Sequence, residues 1–126
     1  FDINKLNIEN TNGDIDIKDT IVLESSVIKN TNGSISLING EIIDGLLNVR
    51  TTNGNVFVEY FNANEFQLKT TNGTVNVTEG YANDINIETT NGNINIENTD
   101  ESFDYNSVVL KKANGNINSN VRYTEK

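Results

Sequence analysis

Residues 89–97 read TTNGNINIE, and the Thr-Asn-Gly within this stretch recurs along the whole 126-residue chain. Each copy has alternating apolar residues on both sides. The copies occupy residues 11–13, 31–33, 52–54, 71–73 and 90–92, and a sixth has diverged to Ala-Asn-Gly at 113–115. Successive copies are about 20 residues apart, a period that is typical of a solenoid or a related repeat array.

An apolar pair precedes each Thr-Asn-Gly, and a second pair follows it, with one residue between the two members of a pair. Around the third copy the pairs are Leu47 and Val49, then Val56 and Val58. Strict alternation of this kind, rich in β-branched residues, predicts half-buried strands. No stretch has a convincing helical period, so the sequence predicts an all-β domain.

Two all-β architectures can use this pattern. In an antiparallel stack of hairpins, or meander, Asn-Gly would be the two-residue turn, because both residues tolerate positive φ. In a β-solenoid, Thr-Asn-Gly would be a corner, and about six coils of about 20 residues would stack about 4.8 Å apart. We favour the solenoid because stacked corners share one environment, which explains why the same residues recur. The hairpin stack is the alternative.

The corner residues are expected to have a structural role. An asparagine side chain can donate to the coil on one side and accept from the coil on the other, as in the asparagine ladders of cross-β stacks. Glycine tolerates the backbone conformation of a tight corner. The residues assigned to the corner are Asn12, Gly13, Asn32, Gly33, Asn53, Gly54, Asn72, Gly73, Asn91, Gly92, Asn114 and Gly115.

The composition argues against several classes of function. The chain has no Cys and no His, which excludes disulfides, thiol nucleophiles and the usual zinc sites. Its net charge of −9 argues against nucleic acid, whose phosphates require clustered Lys and Arg. No apolar run approaches the roughly 20 residues that span a bilayer, so we expect no membrane span in this segment. Two acidic clusters, one of Asp14, Asp16 and Asp19 and the other of Asp100, Glu101 and Asp104, lack a calcium-loop motif. We therefore predict no catalytic centre, no cofactor and no metal site.

One outward column of side chains is a candidate ligand site. It lies two residues before each Thr, and in a stack it would place Lys29, Arg50 and Lys69 on consecutive coils, about 5 Å apart. Three like charges repel one another unless an anion joins them. One interpretation is therefore a bound carboxylate or phosphate of a wall polymer, and the other is solvated side chains. Phe57, also at an outward position, could pack on a sugar ring, although such rings more often cover the core.

The repeats TTNGNINIE, TTNGTVNVTEG and NTNGDIDIKD resemble an adhesin domain family of bacterial surface proteins, a repeat β-helical family of largely unknown function. The resemblance extends from about residue 6 to residue 117. It implies a non-catalytic β-helical domain at the cell surface or outside the cell. The chain opens on Phe, and its first residues already alternate. We therefore expect a single repeat domain over residues 1–126, as the C-terminal part of a longer protein.

The predicted function is adhesion without catalysis. A rigid bacterial surface module would bind cell-wall or host glycan through many weak contacts, centred on Lys29, Arg50, Lys69 and Phe57. The alternative is a structural or interaction module that contacts other envelope proteins and binds no small ligand. A polysaccharide-cleaving enzyme is a third interpretation, since paired carboxylates can hydrolyse glycosides. We rank it last because the loops are short and the outward columns are repetitive.

Overall fold

Twelve β-strands make up the computed structural model, which describes residues 2–126 and, of Asp2, the backbone only. Phe1, part of the predicted domain, lies outside the described residues. Residues 2–126 contain no helix that could cross a membrane. The strands are β1 (Asp2–Ile3), β2 (Asn7–Asn12), β3 (Ile15–Asn32), β4 (Ile35–Asn53), β5 (Val56–Asn62), β6 (Glu65–Asn72), β7 (Val75–Tyr81), β8 (Asp84–Asn91), β9 (Ile94–Glu97), β10 (Ser107–Asn114), β11 (Ile117–Ser119) and β12 (Thr124–Glu125).

Neighbouring strands are parallel throughout, and each residue pairs with one about a coil further along the chain. Asn32 pairs with Asn53, so that successive Thr-Asn-Gly corners lie one above another. The pairing confirms the predicted β-solenoid of about six coils of about 20 residues. The antiparallel alternative is wrong: a hairpin would place Val49 opposite Val58, whereas Val49 pairs with Leu68 of the next coil.

The corner divides each coil into two strand segments, which stack into two columns. β3 and β4 are 18 and 19 residues long and run round most of a coil, so each contributes to both columns. The pre-corner column contains β2, β6, β8, β10 and the C-terminal halves of β3 and β4. The post-corner column contains β5, β7, β9, β11 and the N-terminal halves of β3 and β4.

The predicted apolar pairs form the core between the two columns. Val49 and Val56, on either side of one corner, are both fully buried, and the same two positions are buried in the neighbouring coils. Because the coils are parallel and in register, like residues stack on like residues. The core therefore consists of rows of aliphatic side chains that run along the solenoid axis.

Two phenylalanines, Phe61 and Phe66, are the largest fully buried side chains. Each lies beside a glycine. A Cβ on Gly40 would collide with the ring of Phe61, its partner in the next coil, and a Cβ on Gly80 would touch the ring of Phe66. Each bulky ring therefore occupies space that a nearby glycine leaves open.

A left-handed residue bends the chain after the second apolar pair in four consecutive coils. Asp19, Asn39, Tyr60 and Glu79 have φ values of 52°, 58°, 50° and 52°. Strand pairing skips these positions, as at a β-bulge. Asp and Asn tolerate positive φ, but it is uncommon for Tyr and Glu. The bend therefore recurs because the stack requires it, even where the local residue does not favour it.

The C-terminus and one loop cover parts of the last coils. β12 pairs with Val109 and Leu110 of β10. The loop between β9 and β10 carries Phe103 and Tyr105, whose ring centroids lie 5.0 Å and 6.5 Å from that of Tyr81. Tyr105 also packs against the core. These rings shield the flank of the core where the regular coil is interrupted.

Candidate functional site

Backbone hydrogen bonds at the corner hold each coil to the next. The N–H of Gly13 donates to the carbonyl of Asn32 at 2.9 Å, and the equivalent bond recurs up to Gly92. Gly33 has a φ of 146°, and a Cβ on it would collide with the carbonyl of Gly13. Glycine is therefore needed at this position both for its conformation and for the close approach of the neighbouring coil.

The six corner asparagines form a continuous ladder of side-chain amides. From Asn32 onward, each Nδ2 donates to the Oδ1 of the asparagine one coil earlier, at 2.8–3.1 Å. Asn32, for example, donates to Asn12 at 3.1 Å and accepts from Asn53 at 2.9 Å. Each such bond contributes about 0.5–1.5 kcal/mol net, and less where water competes. The ladder is the amide stacking expected from the sequence.

A second set of corner bonds comes from an inner row that the sequence analysis did not assign. The hydroxyl of Thr51 donates to the carbonyl of Gly33 at 2.9 Å. One and two coils later, Thr70 and Thr89 donate in the same way to the corner glycine of the preceding coil. All three threonines are buried. A signal was present in the sequence: three copies read Thr-Thr-Asn-Gly, and the first Thr of each doublet alternates with the outward residues and so points inward.

We expect Thr70→Val to lower the free energy of unfolding by about 1–3 kcal/mol, because the partly buried carbonyl of Gly54 loses its hydroxyl donor while the shape of the side chain is kept. Denaturant unfolding at equilibrium would measure this change. Thr71→Val is the matched control, since Thr71 is the outward member of the same doublet and is half-exposed. An equal effect of the two substitutions would contradict the assigned role of the inner hydroxyl.

The residue after each glycine also links neighbouring coils. A carboxylate oxygen of Asp14 accepts the N–H of Ser34 at 2.8 Å, and Asn55 accepts the N–H of Thr74 at the same distance. No role was predicted for these residues from the sequence. Two further amide bonds lie on the outer face of the post-corner column, from Asn95 to Asn76 and from Asn118 to Asn95.

The predicted basic row is present on the outer face of the pre-corner column. Lys29 pairs in register with Arg50, and Arg50 with Lys69. Lys69 continues the row to Glu88, with Nζ and Oε1 4.0 Å apart. Lys29 and Arg50 are exposed, and a shallow depression lies between the row and the outward threonines of the same strands, among them Thr52. The row therefore presents one cation per coil beside one hydroxyl per coil.

Phe57 is not brought together with the basic row. It lies on β5 in the post-corner column, where it pairs with Ser36 and Asn76, and its side chain is half-buried. Alternation identified Phe57 as an outward residue, but it does not specify how the outward faces of the two columns lie relative to each other. A ligand on the basic row would contact Lys29, Arg50 and Lys69 without this ring.

Carboxylates near the aromatic cluster are engaged in local hydrogen bonds. The hydroxyl of Tyr81 donates to Glu79 at 2.7 Å, and this bond together with one from the N–H of Thr99 lowers the pKa of Glu79. Hydrogen bonds from Ser102 lower the pKa of Asp100. Burial, and then the bond to Glu79, raises the pKa of Tyr81. Across residues 3–126, whose side chains the structure describes, no three acidic side chains are placed to hold a metal ion.

Comparison with known proteins identifies a family. No curated protein and no solved structure matches the chain. A family model, Toastrack DUF4097, matches residues 2–125 and so covers the corners, the inner threonines and the basic row. The match agrees with the repeated parallel coils of the structure. The chain belongs to the Toastrack family, DUF4097.

Proposed function

We propose that the chain is a non-enzymatic module of the bacterial cell surface that binds an anionic wall polymer or glycan through several weak contacts. The observation that supports this function is the row Lys29, Arg50 and Lys69 on consecutive coils. An anionic chain that lies along the solenoid axis would meet one cation per coil, at about 4.8 Å intervals. Exposed ion pairs are individually weak, about 0–1 kcal/mol, but pairs made by one rigid surface act together.

The charges along the row favour its central member, because Arg50 lies between Lys29 and Lys69, whereas Lys29 has Glu9 and Lys69 has Glu88 as its other in-register neighbour. Lys69 is paired with Glu88, whereas within residues 3–126 no carboxylate lies within ion-pair distance of Lys29 or Arg50. The protein as a whole carries a net charge of −9, which would repel a polyanion at long range. Salt screens charges beyond about 8 Å at physiological ionic strength. At contact, the nearby row therefore outweighs the distant carboxylates.

The outward threonines give the same surface a second kind of recognition. Thr31, Thr52 and Thr71 line the depression beside the basic row. A hydroxyl both donates and accepts, which suits the hydroxyls of a sugar. The row and the threonines together therefore match a polymer that carries both acidic groups and hydroxyls.

The sequence supports adhesion over catalysis and a location at the cell surface. The chain has no His or Cys to serve as a base or a thiol nucleophile, and its outward rows repeat similar polar chemistry from coil to coil. The resemblance of the repeats to adhesin-type surface domains supports the location.

Arg50→Glu is the direct test, with teichoic acid and a polyuronate as immobilised probes. The substitution removes the central cation and places a repelling charge between Lys29 and Lys69. We expect affinity for the polymer to fall at least about tenfold, which corresponds to about 1.4 kcal/mol. Binding of the unmodified protein should also weaken as salt is raised. Biolayer interferometry at two salt concentrations would measure both effects.

Lys18→Glu is the matched control, because it makes the same charge change on the post-corner column, away from the basic row. It should leave binding nearly unchanged. Equal losses in the two variants would contradict a site on the basic row. If the folded protein bound neither the probes nor a glycan array, the alternative of a structural module that contacts other envelope proteins would replace adhesion.

A further inference from the structure

The repeated Asn-Gly pairs are chemically labile, and the stack protects them unequally. In such a pair the backbone nitrogen of the glycine can attack the side-chain Cγ of the asparagine. The bond from that nitrogen to Cγ forms, the Cγ–Nδ2 bond breaks, and ammonia leaves with the amide proton. Water then opens the cyclic imide to aspartate or isoaspartate. Asparagine is for this reason among the thermolabile residues.

The corner hydrogen bonds occupy the attacking nitrogen in five of the six corner pairs. The N–H groups of Gly13, Gly33, Gly54, Gly73 and Gly92 donate to the asparagine carbonyl of the next coil at 2.8–3.0 Å. A nitrogen held in this way cannot turn towards its own asparagine side chain until the coil opens locally. In the seventh Asn-Gly pair, Asn39-Gly40, strand pairing skips Asn39, but Gly40 pairs with Thr20 and Phe61 of the two neighbouring coils.

Gly115 differs from the other corner glycines. It belongs to the last coil, and β12 covers only Val109 and Leu110 of that coil's edge. Within residues 3–126 no backbone carbonyl accepts a hydrogen bond from its N–H. We propose that Asn114-Gly115 is a site of spontaneous deamidation in the folded protein, and that stacking protects the other Asn-Gly pairs.

Solvent exposure alone does not distinguish this site. Asn12 and Gly13, at the opposite end of the solenoid, are exposed, as are Asn114 and Gly115. The two ends differ because the corner N–H groups donate towards the C-terminal end, so the first coil has its N–H satisfied and the last coil does not. Asn12-Gly13 is therefore a control pair that is present within the same molecule.

Deamidation would alter the end of the ladder. Nδ2 of Asn114 donates to Oδ1 of Asn91 at 2.9 Å, and a carboxylate at this position has no hydrogen to donate. The carboxylate would instead place a negative charge against Oδ1 of Asn91, which is itself an acceptor. The isoaspartate product also adds one main-chain carbon at the corner. Both products should loosen β10 and β11 from the preceding coil.

The test is to incubate the 126-residue protein at 37 °C and mildly alkaline pH, digest it, and quantify the acid form of each Asn-Gly pair by mass spectrometry. We expect Asn114 to convert first, at least about tenfold faster than Asn12, which corresponds to about 1.4 kcal/mol of protection. In urea, where the stack is lost, the rates of the seven pairs should converge.

Two outcomes would overturn the proposal. One is conversion of Asn12 at the rate of Asn114 in the folded protein, which would show that exposure and not the corner hydrogen bond controls the reaction. The other is an unchanged Asn114 over a period in which the pairs convert in urea. A charge variant that accumulates on ion exchange and is absent in Asn114→Ser would independently support the assignment.

Discussion

Replacing Gly33 with alanine is expected to lower the free energy of unfolding by about 2–5 kcal/mol, from two additive causes. A positive φ costs an L-residue about 1–2 kcal/mol. The new Cβ would also collide with the carbonyl of Gly13 in the preceding coil, and overpacking of this kind costs about 1–3 kcal/mol. The carbonyl cannot move away without breaking the corner hydrogen bonds. Denaturant unfolding at equilibrium would measure the loss.

Gly13→Ala is the matched control for the second cause. Gly13 has a φ of 115°, so alanine is strained there as well, but the nearest atom to its new Cβ would be Nδ2 of Asn10 at 3.7 Å, an ordinary contact. The difference between the two variants therefore isolates the close approach of stacked coils. Equal losses would mean that backbone conformation alone, and not stacking, requires glycine at the corner.

Phe61→Ala should cost about 3–5 kcal/mol, because it removes a fully buried ring from a core that cannot easily collapse. Gly40 lies beneath the ring and has no side chain to fill the space. The coils on both sides are fixed by their strand pairing, which limits relaxation. Thermal and denaturant unfolding would both report the loss, and Phe61→Leu should recover part of it because less volume is removed.

Phe57→Ala serves as the comparison for Phe61→Ala. Phe57 is half-buried on the outer face of the same strand, β5, so its removal opens no internal cavity. Its cost should be well below that of Phe61→Ala. If the two substitutions destabilised the protein equally, the distinction between inward and outward positions on β5 would be wrong.

The architecture could be predicted because one physical requirement recurs in every coil. Stacked corners need a glycine where the next coil approaches and an asparagine that can both donate and accept, and the alternating pairs place the core. The register of Lys29, Arg50 and Lys69 followed from the same period. Because each coil places the same demands on its residues, the same residue types recur at the same spacing, and this period can be recognised from the sequence alone.

Features that depend on the direction of the chain at the corner could not be predicted. Phe57 and Arg50 are both outward residues on either side of one corner, but the sequence does not specify that their two columns have separate outward faces. The left-handed conformation of Tyr60 is imposed by the stack and has no signature in the residue itself. The inner hydroxyl of Thr70 was visible as part of a doublet, but its acceptor belongs to a residue one coil away.

The polarity of the corner bonds has a consequence for how such a protein changes in length. Each inner coil offers its neighbours the same amide, carbonyl and close-packed glycine, so a duplicated coil would be accepted between two existing ones without any other substitution. Duplication of the DNA that encodes one coil can therefore lengthen the molecule by about 4.8 Å per added coil. The length of the solenoid thus depends on the number of coils and not on the residues along its outer faces.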